Sequence, residues 1–356
     1  MYEKKFVHAT IKYTIVKEMV LEINRVNAMK NKIVLALMQL KGISRKTIIK
    51  VLKVTDGMTC DTETIRQLLS DGTKITKRIK VLPDEDIISA IITADKIIEE
   101  SISNGISIVT YLDSEYPQRM LLTDDPPAVL YYKGDISYLN YMPTVAVIGT
   151  REPSKIGESV GKRLGKIFAE NGFVVVSGLA VGCDTCGHVG CLIGEGKTVA
   201  FLAGGLDSVY PATNRKLAQD ILDSGGALIS EYPIYTEPFP QQFVERDRLQ
   251  SALSDGVIVI ETGETGGTWH ASNRAVQYGR LLACYNHPEK YKNLPKSFGN
   301  QKMINENMAR PITDNDDLYK FMDDMRNLKS INDSTDDDGE NNSEPHQMTL
   351  DEFFKV

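Results

Sequence analysis

With 356 residues, of which 42% are hydrophobic and 25% charged, the chain is long and apolar enough for one large and one small domain. No apolar run reaches the ~18 residues of a membrane span and the N-terminus lacks a signal-peptide core, so we expect neither a membrane protein nor a secreted one. Because the chain has five cysteines and no such signal, we expect their thiols to be reduced and the protein to be cytoplasmic.

The net charge of −7 argues only weakly against a nucleic-acid partner, because many of the acids stand together. Residues 333–345 carry six Asp or Glu and no Lys or Arg, which leaves the rest of the chain near −1. A local basic patch is therefore compatible with the composition.

The first hundred residues predict helices. Residues 1–30 stay unassigned, although residues 11–27 could form a helix. Residues 31–104 predict a small helical domain. Its clearest element is an amphipathic run from Asp84 to Asn104, which has isoleucines on one side and Gly105 at its end.

A short polar turn, Lys41–Lys46, separates two apolar runs in this domain, Ile33–Leu40 and Thr47–Leu52. Two helices joined by a glycine-containing turn resemble a helix-hairpin-helix or SAM-like element, in which turn amides hold a DNA phosphate. The second glycine of that element is absent, so a plain helical hairpin remains the alternative.

Two strands, over residues 106–112 and 129–134, lead into the stretch around which the rest of the chain is organised. The apolar run Val145–Ile148 predicts a strand buried on both faces, which is typical of a parallel sheet. Gly149 then allows a tight turn, and Ser154 suits the cap of a helix that runs to about Asn171. Free N–H groups at such a helix start can bind phosphate.

The pattern of apolar strand, glycine turn and helix then repeats along the chain. Further strands are predicted over Phe173–Ser177, Thr198–Ala203, Ala227–Ser230, Gly256–Ile260 and Arg280–Cys284. A last helix is predicted over about Asp314–Met325. This alternation indicates an α/β fold with a Rossmann-like, doubly wound and mostly parallel sheet, whose ligand crevice lies at the carboxyl ends of the strands.

Glycines mark the turns at those strand ends. They are Gly149, Gly178, Gly182, Gly204, Gly205, Gly266 and Gly267. We expect them to serve close backbone approach or positive φ, and a small nucleotide phosphate could occupy the same turns. No Gly-x-Gly-x-x-Gly run follows Ile148, so no dinucleotide cofactor is expected, nor any other.

Four residues at metal-ligand spacing come after the second predicted strand: Cys183, Cys186, His188 and Cys191. On a helix they point in divergent directions, at ~100° per residue, so they do not converge on one ion. We interpret them as small buried residues and expect no metal site.

Several short motifs occur in a fixed order. They are Val147–Arg151, Val176–Ala180, Gly205–Pro211, Ser230–Pro233 and Arg246–Arg248. Together they resemble the DprA/Smf family of DNA-processing proteins, and the resemblance covers residues 105–326. It implies a Rossmann-like core that binds single-stranded DNA, forms a homodimer and loads a RecA-type recombinase in recombination or DNA uptake, without being an enzyme.

The resemblance also implies which side chains contact DNA. Arg151, Arg246 and Arg248 are the candidates for phosphate contacts, and Phe243 is the candidate for base stacking, although it could equally be a core residue. Lys155 follows Arg151 on the same helix and could contact DNA or belong to a solvated face.

Some positions depart from the family pattern. Val181 replaces an arginine, and the usual Arg-Arg-Asn-Arg run appears as Glu245-Arg-Asp-Arg248, which removes one positive charge and adds two negative ones. These changes predict weaker affinity for DNA.

Two alternatives belong to the same fold superfamily. A sensor of a nucleotide-derived ligand would use Glu231, Glu261 and His270 as ligand contacts. A phosphoribohydrolase would use a Gly-Gly-x-Gly-Thr run, which Gly266–Thr268 partly matches, but Ala271 stands where the catalytic glutamate should be.

The final segment, residues 327–356, is acidic and poor in apolar residues and is expected to be disordered. Near its end stand Gln347, Leu350, Phe353 and Phe354, at the spacing of a PCNA-interacting box. One helical turn would place Leu350 and both phenylalanines on one face, as a plug for the pocket of a sliding clamp. A terminal helix that packs on the protein itself, or a chance match, is the alternative.

Overall fold

The computed structural model describes residues 32–52, 59–75, 79 and 82–334. The helix expected over residues 11–27 and the clamp motif of Gln347, Leu350, Phe353 and Phe354 lie outside the described residues. No described helix combines the length and the hydropathy that crossing a membrane would require.

Four helices precede the sheet: α1 (Lys32–Gln39), α2 (Arg45–Leu52), α3 (Thr62–Ile75) and α4 (Asp84–Ser103). The sequence predicted α1, α2 and α4, whereas α3 was missed. Ile33 and Val34 of α1 are buried, as are Ile87 and Ala94 of α4, and α1 packs against α4.

The strands of the sheet are β1 (Ser107–Thr110), β2 (Val129–Gly134), β3 (Thr144–Ile148), β4 (Val174–Ser177), β5 (Thr198–Leu202), β6 (Ala227–Ser230), β7 (Gly256–Val259), β8 (Leu281–Tyr285) and β9 (Arg310–Ile312). All but β9 were predicted, with ends that differ by a few residues. Pro311 made β9 hard to predict because proline cannot donate to a sheet; it is tolerated here in a strand at the edge.

The helices of this part are α5 (Gln118–Leu121), α6 (Lys155–Glu170), α7 (Cys183–Ile193), α8 (Arg215–Asp223), α9 (Pro240–Leu253), α10 (Gly267–Gln277), α11 (Glu289–Lys292), α12 (Phe298–Asn305) and α13 (Asn315–Ser334). The last of them continues past both Met325, its predicted end, and Asn327, where the disordered segment was expected to begin.

The described strands form one sheet in the order β1-β2-β6-β5-β4-β3-β7-β8-β9. The pairs from β6 across to β9 are parallel, whereas β2 joins β6 and β1 antiparallel. From β3 the chain first adds strands on one side, through β4, β5 and β6, and then on the other, through β7, β8 and β9. The order therefore reverses between β3 and β7, where a doubly wound fold has its ligand crevice.

Both faces of the sheet are covered, as the unbroken apolar strands predicted. Along β3, Val145 and Val147 pack with α6, α7 and α13, whereas Ala146 and Ile148 pack with α9 and α10. The prediction of a Rossmann-like, mostly parallel α/β fold is confirmed.

The N-terminal helices share a hydrophobic core with the sheet. Buried residues of α1 to α4 belong to the same cluster as Ala200, Leu202 and Leu228 of β5 and β6. The small helical part is therefore packed onto the sheet.

Candidate nucleic-acid interface

Two neighbouring cavities open at the carboxyl ends of the strands. The first, here the aromatic pocket, is an open cavity whose lining includes Arg151, Tyr210, Phe243 and Arg246. The second, here the crevice, is an open cavity between the ends of β3 and β7. Arg151 and Arg246 line both, so the two cavities meet at these arginines.

An exposed cation and two aromatic rings form the mouth of the aromatic pocket. The guanidinium carbon of Arg151 lies 5.5 Å from the centroid of the Phe243 ring, and that ring lies 5.4 Å from the ring of Tyr210. A cation beside two aromatic rings can hold a phosphate and a base together.

Tyr210 has no role in the sequence analysis, although it stands in the motif Gly205–Pro211. It is 57% exposed and faces the pocket. The signal that could have identified Tyr210 as a site residue is an aromatic residue before a proline, in the segment that follows a strand. Lys155, the first residue of α6, is exposed but lines neither cavity.

Arg246 lies at the junction of the cavities with its side chain only 4% exposed. Its Nη1 is 3.6 Å from Asp184 Oδ2 and its Nε is 3.5 Å from Asp247 Oδ1. Within the part of the chain that the structure describes, neither nitrogen has a hydrogen-bond acceptor. The guanidinium packs on Gly178, where a Cβ would lie 1.0 Å from Nη1. This position therefore needs glycine so that Arg246 can reach the cavities.

Arg248 lines neither cavity, which argues against the prediction that it contacts DNA phosphate. Its side chain is 5% exposed; Nη2 pairs with Glu231 and Nη1 donates to the carbonyl of Asp125 at 3.0 Å. Arg45 of α2 pairs with the carboxylates of Asp125 and Glu231. Arg248 belongs to a buried ion network that joins the helical part to the sheet.

The first two residues of α2 are cations that pair with carboxylates of the sheet part. Arg45 pairs with Asp125 and Glu231, and Lys46 Nζ lies 3.6 Å from Asp124 Oδ2. These contacts favour the plain helical hairpin over a turn that grips DNA.

The ligand contacts expected for a nucleotide sensor are not brought together. Glu231 is in the ion network, and Glu261 accepts from Ser154 N at 2.7 Å and Ser154 Oγ at 2.5 Å. Burial raises the pKa of Glu261, but hydrogen bonds from His287 and Ser154 outweigh it and leave the pKa below its ordinary value. His270 is exposed and lines neither cavity, so the structure gives no support to this set of contacts.

The turn glycines do serve close approach or positive φ, as expected. Gly182 and Gly266 have φ of 87° and 118°. A Cβ at Gly149, Gly204, Gly205 or Gly267 would lie within 3 Å of another protein atom. At Gly204 those atoms belong to Thr236 and Pro238, and at Gly205 the nearest is Asp207 Oδ1, followed by atoms of Pro233 and Tyr235.

The residues at metal-ligand spacing are buried in the core. Cys183, Cys186 and Cys191 are free thiols, and the described residues include no group of three or more His, Cys, Asp or Glu that could hold a metal ion. The Nδ1 atom of His188 lies 2.7 Å from Thr198 Oγ1. Burial and the nearby Arg246 lower the pKa of His188 to about 3.

Comparison with known proteins fits this geometry. A family model described as DNA recombination-mediator protein A matches residues 107–323. The chain belongs to this family. The resemblance to DprA/Smf proteins is therefore confirmed.

Curated members of the family are similar over part of their length. DNA processing protein DprA of Bacillus subtilis is 36% identical over 176 residues, which are 49% of this chain and 59% of that protein. DprA of Streptococcus pneumoniae is 39% identical over 170 residues, 48% of this chain and 59% of that protein. The chain spans about half to three-fifths of the length of the curated relatives it matches.

Two solved structures have the same fold. DprA of Streptococcus pneumoniae has a TM-score of 0.65 and 29% identity, covering 80% of this chain and 96% of its own. DprA of Helicobacter pylori, whose structure concerns a single-stranded DNA binding mode, has a TM-score of 0.54 and 28% identity, covering 64% and 96%.

Proposed function

We propose that this protein binds single-stranded DNA in the aromatic pocket and acts as a DNA-processing protein in recombination or DNA uptake. The observation that carries the proposal is the placement of Arg151 over Phe243 at the mouth of the pocket, beside Tyr210. The single-stranded DNA binding of the Helicobacter pylori relative supports it.

The chemistry of the pocket suits a strand of any sequence. Arg151 supplies a phosphate contact, which gives salt-dependent affinity without base readout. Phe243 and Tyr210 supply π-faces, and stacking of a base contributes about 1–3 kcal/mol. Lys155 adds a positive charge at the periphery.

A titration with labelled oligonucleotides tests this proposal. Arg151→Ala should weaken binding on every sequence alike and reduce the slope of log affinity against log salt by about 1. Phe243→Ala should weaken binding by the stacking energy and leave that slope unchanged. Arg163→Ala is the matched control, because Arg163 is an exposed arginine further along α6 that lines neither cavity. Equal affinities for all four proteins would contradict the assignment.

We also propose that the protein acts by binding rather than catalysis. Ala271 is buried in the core at the position where a phosphoribohydrolase needs its glutamate. Incubation with nucleoside monophosphates should release no free base, and release of base would restore the enzyme alternative.

The family resemblance further suggests a homodimer that delivers the strand to a RecA-type recombinase. Light scattering at micromolar concentration should give twice the mass of the chain, and a monomer mass would contradict the dimer. Recombinase filaments should form faster on protein-bound than on free single strands.

The tail motif is proposed to bind a sliding clamp. A peptide of residues 343–356 should bind a PCNA-type or a bacterial clamp, and the change of both Phe353 and Phe354 to Ala should abolish binding. Absence of binding to both clamps, or binding that survives the double change, would remove this partner.

A further inference from the structure

The crevice between β3 and β7 contains a carboxylate at a position suited to a phosphate. Gly266, Gly267 and Thr268, at the start of α10, line the crevice. The first N–H groups of a helix have no acceptor within the helix and attract anions. Asp247 Oδ2 lies 2.6 Å from the position a Cβ on Gly267 would take, so the protein's own acid stands at this helix start.

A buried cation beside the carboxylate lacks hydrogen-bond acceptors. Among the described residues, the Nε and Nη1 atoms of Arg246 have no hydrogen-bond acceptor, and carboxylate oxygens of Asp247 and Asp184 lie 3.5 and 3.6 Å from them. Leaving buried donors without acceptors costs stability. Arg246 and Arg151 both line the crevice. Two arginines and a helix start therefore point to an anionic ligand.

We propose that the crevice is a phosphate-binding subsite formed by Arg246, Arg151 and the first turn of α10. While the carboxylate of Asp247 is charged, it keeps phosphate out of this subsite. The inference rests on the proposed function if the phosphate belongs to a DNA strand. A free phosphate or nucleotide has the same chemistry and is the other source.

The charges around Asp247 determine when the subsite is open. The groups that face it are Arg246 on its own helix, Asp184 on α7, Arg151 and Glu152 after β3, and His270 on α10. Burial, with the help of Asp184, raises the pKa of Asp247 to about 6, although Arg246, Arg151 and His270 oppose the rise. When the carboxylate of Asp247 is protonated, the net charge of the crevice rises by one unit.

The sign of the pH dependence follows from linkage. Phosphate favours the protonated form of Asp247, so binding takes up a proton above the pKa of that group. Affinity should then fall by up to about tenfold for each pH unit above about 6 and level off below it. The charge on a phosphodiester does not change in this range, whereas a phosphate monoester loses its second charge near pH 6 as the pH falls.

The test uses the full chain and an oligothymidylate without terminal phosphates. Asp247→Asn should bind it about tenfold tighter than the unaltered protein at pH 7.5 and should show no pH dependence down to about pH 5.5. The unaltered protein should approach the variant at the lower pH. Asp220→Asn, the same chemical change on α8 away from both cavities, should behave as the unaltered protein.

A second arm identifies the source of the phosphate. Inorganic phosphate should raise the melting temperature of Asp247→Asn more than that of the unaltered protein at pH 7.5. If this difference is found while the oligonucleotide affinities are equal, the subsite takes a free phosphate. If all proteins fail to bind the oligonucleotide, the proposed function is wrong and the phosphate arm still decides the subsite.

Two results would overturn the inference. One is the absence of any difference between Asp247→Asn and the unaltered protein with either probe. The other is a variant that binds with the pH dependence of the unaltered protein, because the titrating group would then be another one, such as His270.

Discussion

Arginines close together in the sequence have opposite roles in this protein. Arg246 and Arg248 stand two residues apart on α9, which turns their side chains ~200° from each other. Arg246 lines both cavities, whereas Arg248 is enclosed with Glu231 and Asp125. Arg246 therefore belongs to the candidate interface, whereas Arg248 contributes to the stability of the fold.

Removal of Arg248 should destabilise the fold. Among the residues that the structure describes, Arg248→Ala leaves the buried carboxylate of Glu231 with Arg45 as its one ion-pair partner, and such losses typically cost about 3–5 kcal/mol. The free energy of unfolding from urea denaturation measures the effect. Arg310→Ala breaks a half-exposed pair with Asp324 and should cost less than about 1 kcal/mol. If both variants lose the same free energy of unfolding, the buried network contributes no more to stability than a half-exposed ion pair.

At the scale of elements, α6 begins beside the carboxyl ends of the paired strands β3 and β7. Ser154 Oγ accepts from Gly157 N at 3.1 Å and donates to Glu261, which follows β7. Gly157 carries no Cβ, and a Cβ there would lie 2.4 Å from the Glu261 carboxylate. The helix start is thus tied to the neighbouring strand, and this tie fixes the loop that carries Arg151.

Loss of this cap should cost stability in a predictable amount. Ser154→Ala removes the acceptor for Gly157 N and a donor to Glu261, so the free energy of unfolding should fall by about 1–2 kcal/mol. Ser154→Thr keeps the hydroxyl and should recover most of the loss. If the alanine and threonine variants unfold at the same urea concentration, the hydroxyl does not cap the helix.

At the scale of the whole molecule, the N-terminal helices complete the cover of one sheet face. Ile33 and Ile98 share a buried cluster with Leu202 and Leu228 of the sheet. The ion network through Arg45 joins the same two parts. The helical part is therefore expected to be required for a stable sheet.

A chain that begins at residue 105 tests this expectation. It exposes the apolar side of β5 and β6 that α1 to α4 cover, so it should aggregate or unfold at a lower temperature than the full chain. Size-exclusion chromatography and thermal melting provide the measurements. A monodisperse truncated protein with an unchanged melting temperature would show that the helices are an independent domain.

The sequence by itself determined the class of fold and the family, and it predicted where the candidate interface lies. Unbroken apolar runs such as Val145–Ile148 specify strands buried on both faces, and glycines at their ends specify tight turns. These are local properties, so one chain segment carries the information. The site at the carboxyl ends of the strands follows from the fold class, and Arg151 with Phe243 was identified within it.

Only the tertiary structure decided which charged residues face a cavity. Glu231 and Glu261 resemble ligand contacts in the sequence, but each is occupied by groups distant along the chain: Arg45 and Arg248 for one, Ser154 and His287 for the other. Asp247 likewise gains its meaning from the start of α10. A charged side chain takes its role from the groups that surround it. Those groups are brought together by packing between elements, which no local pattern specifies.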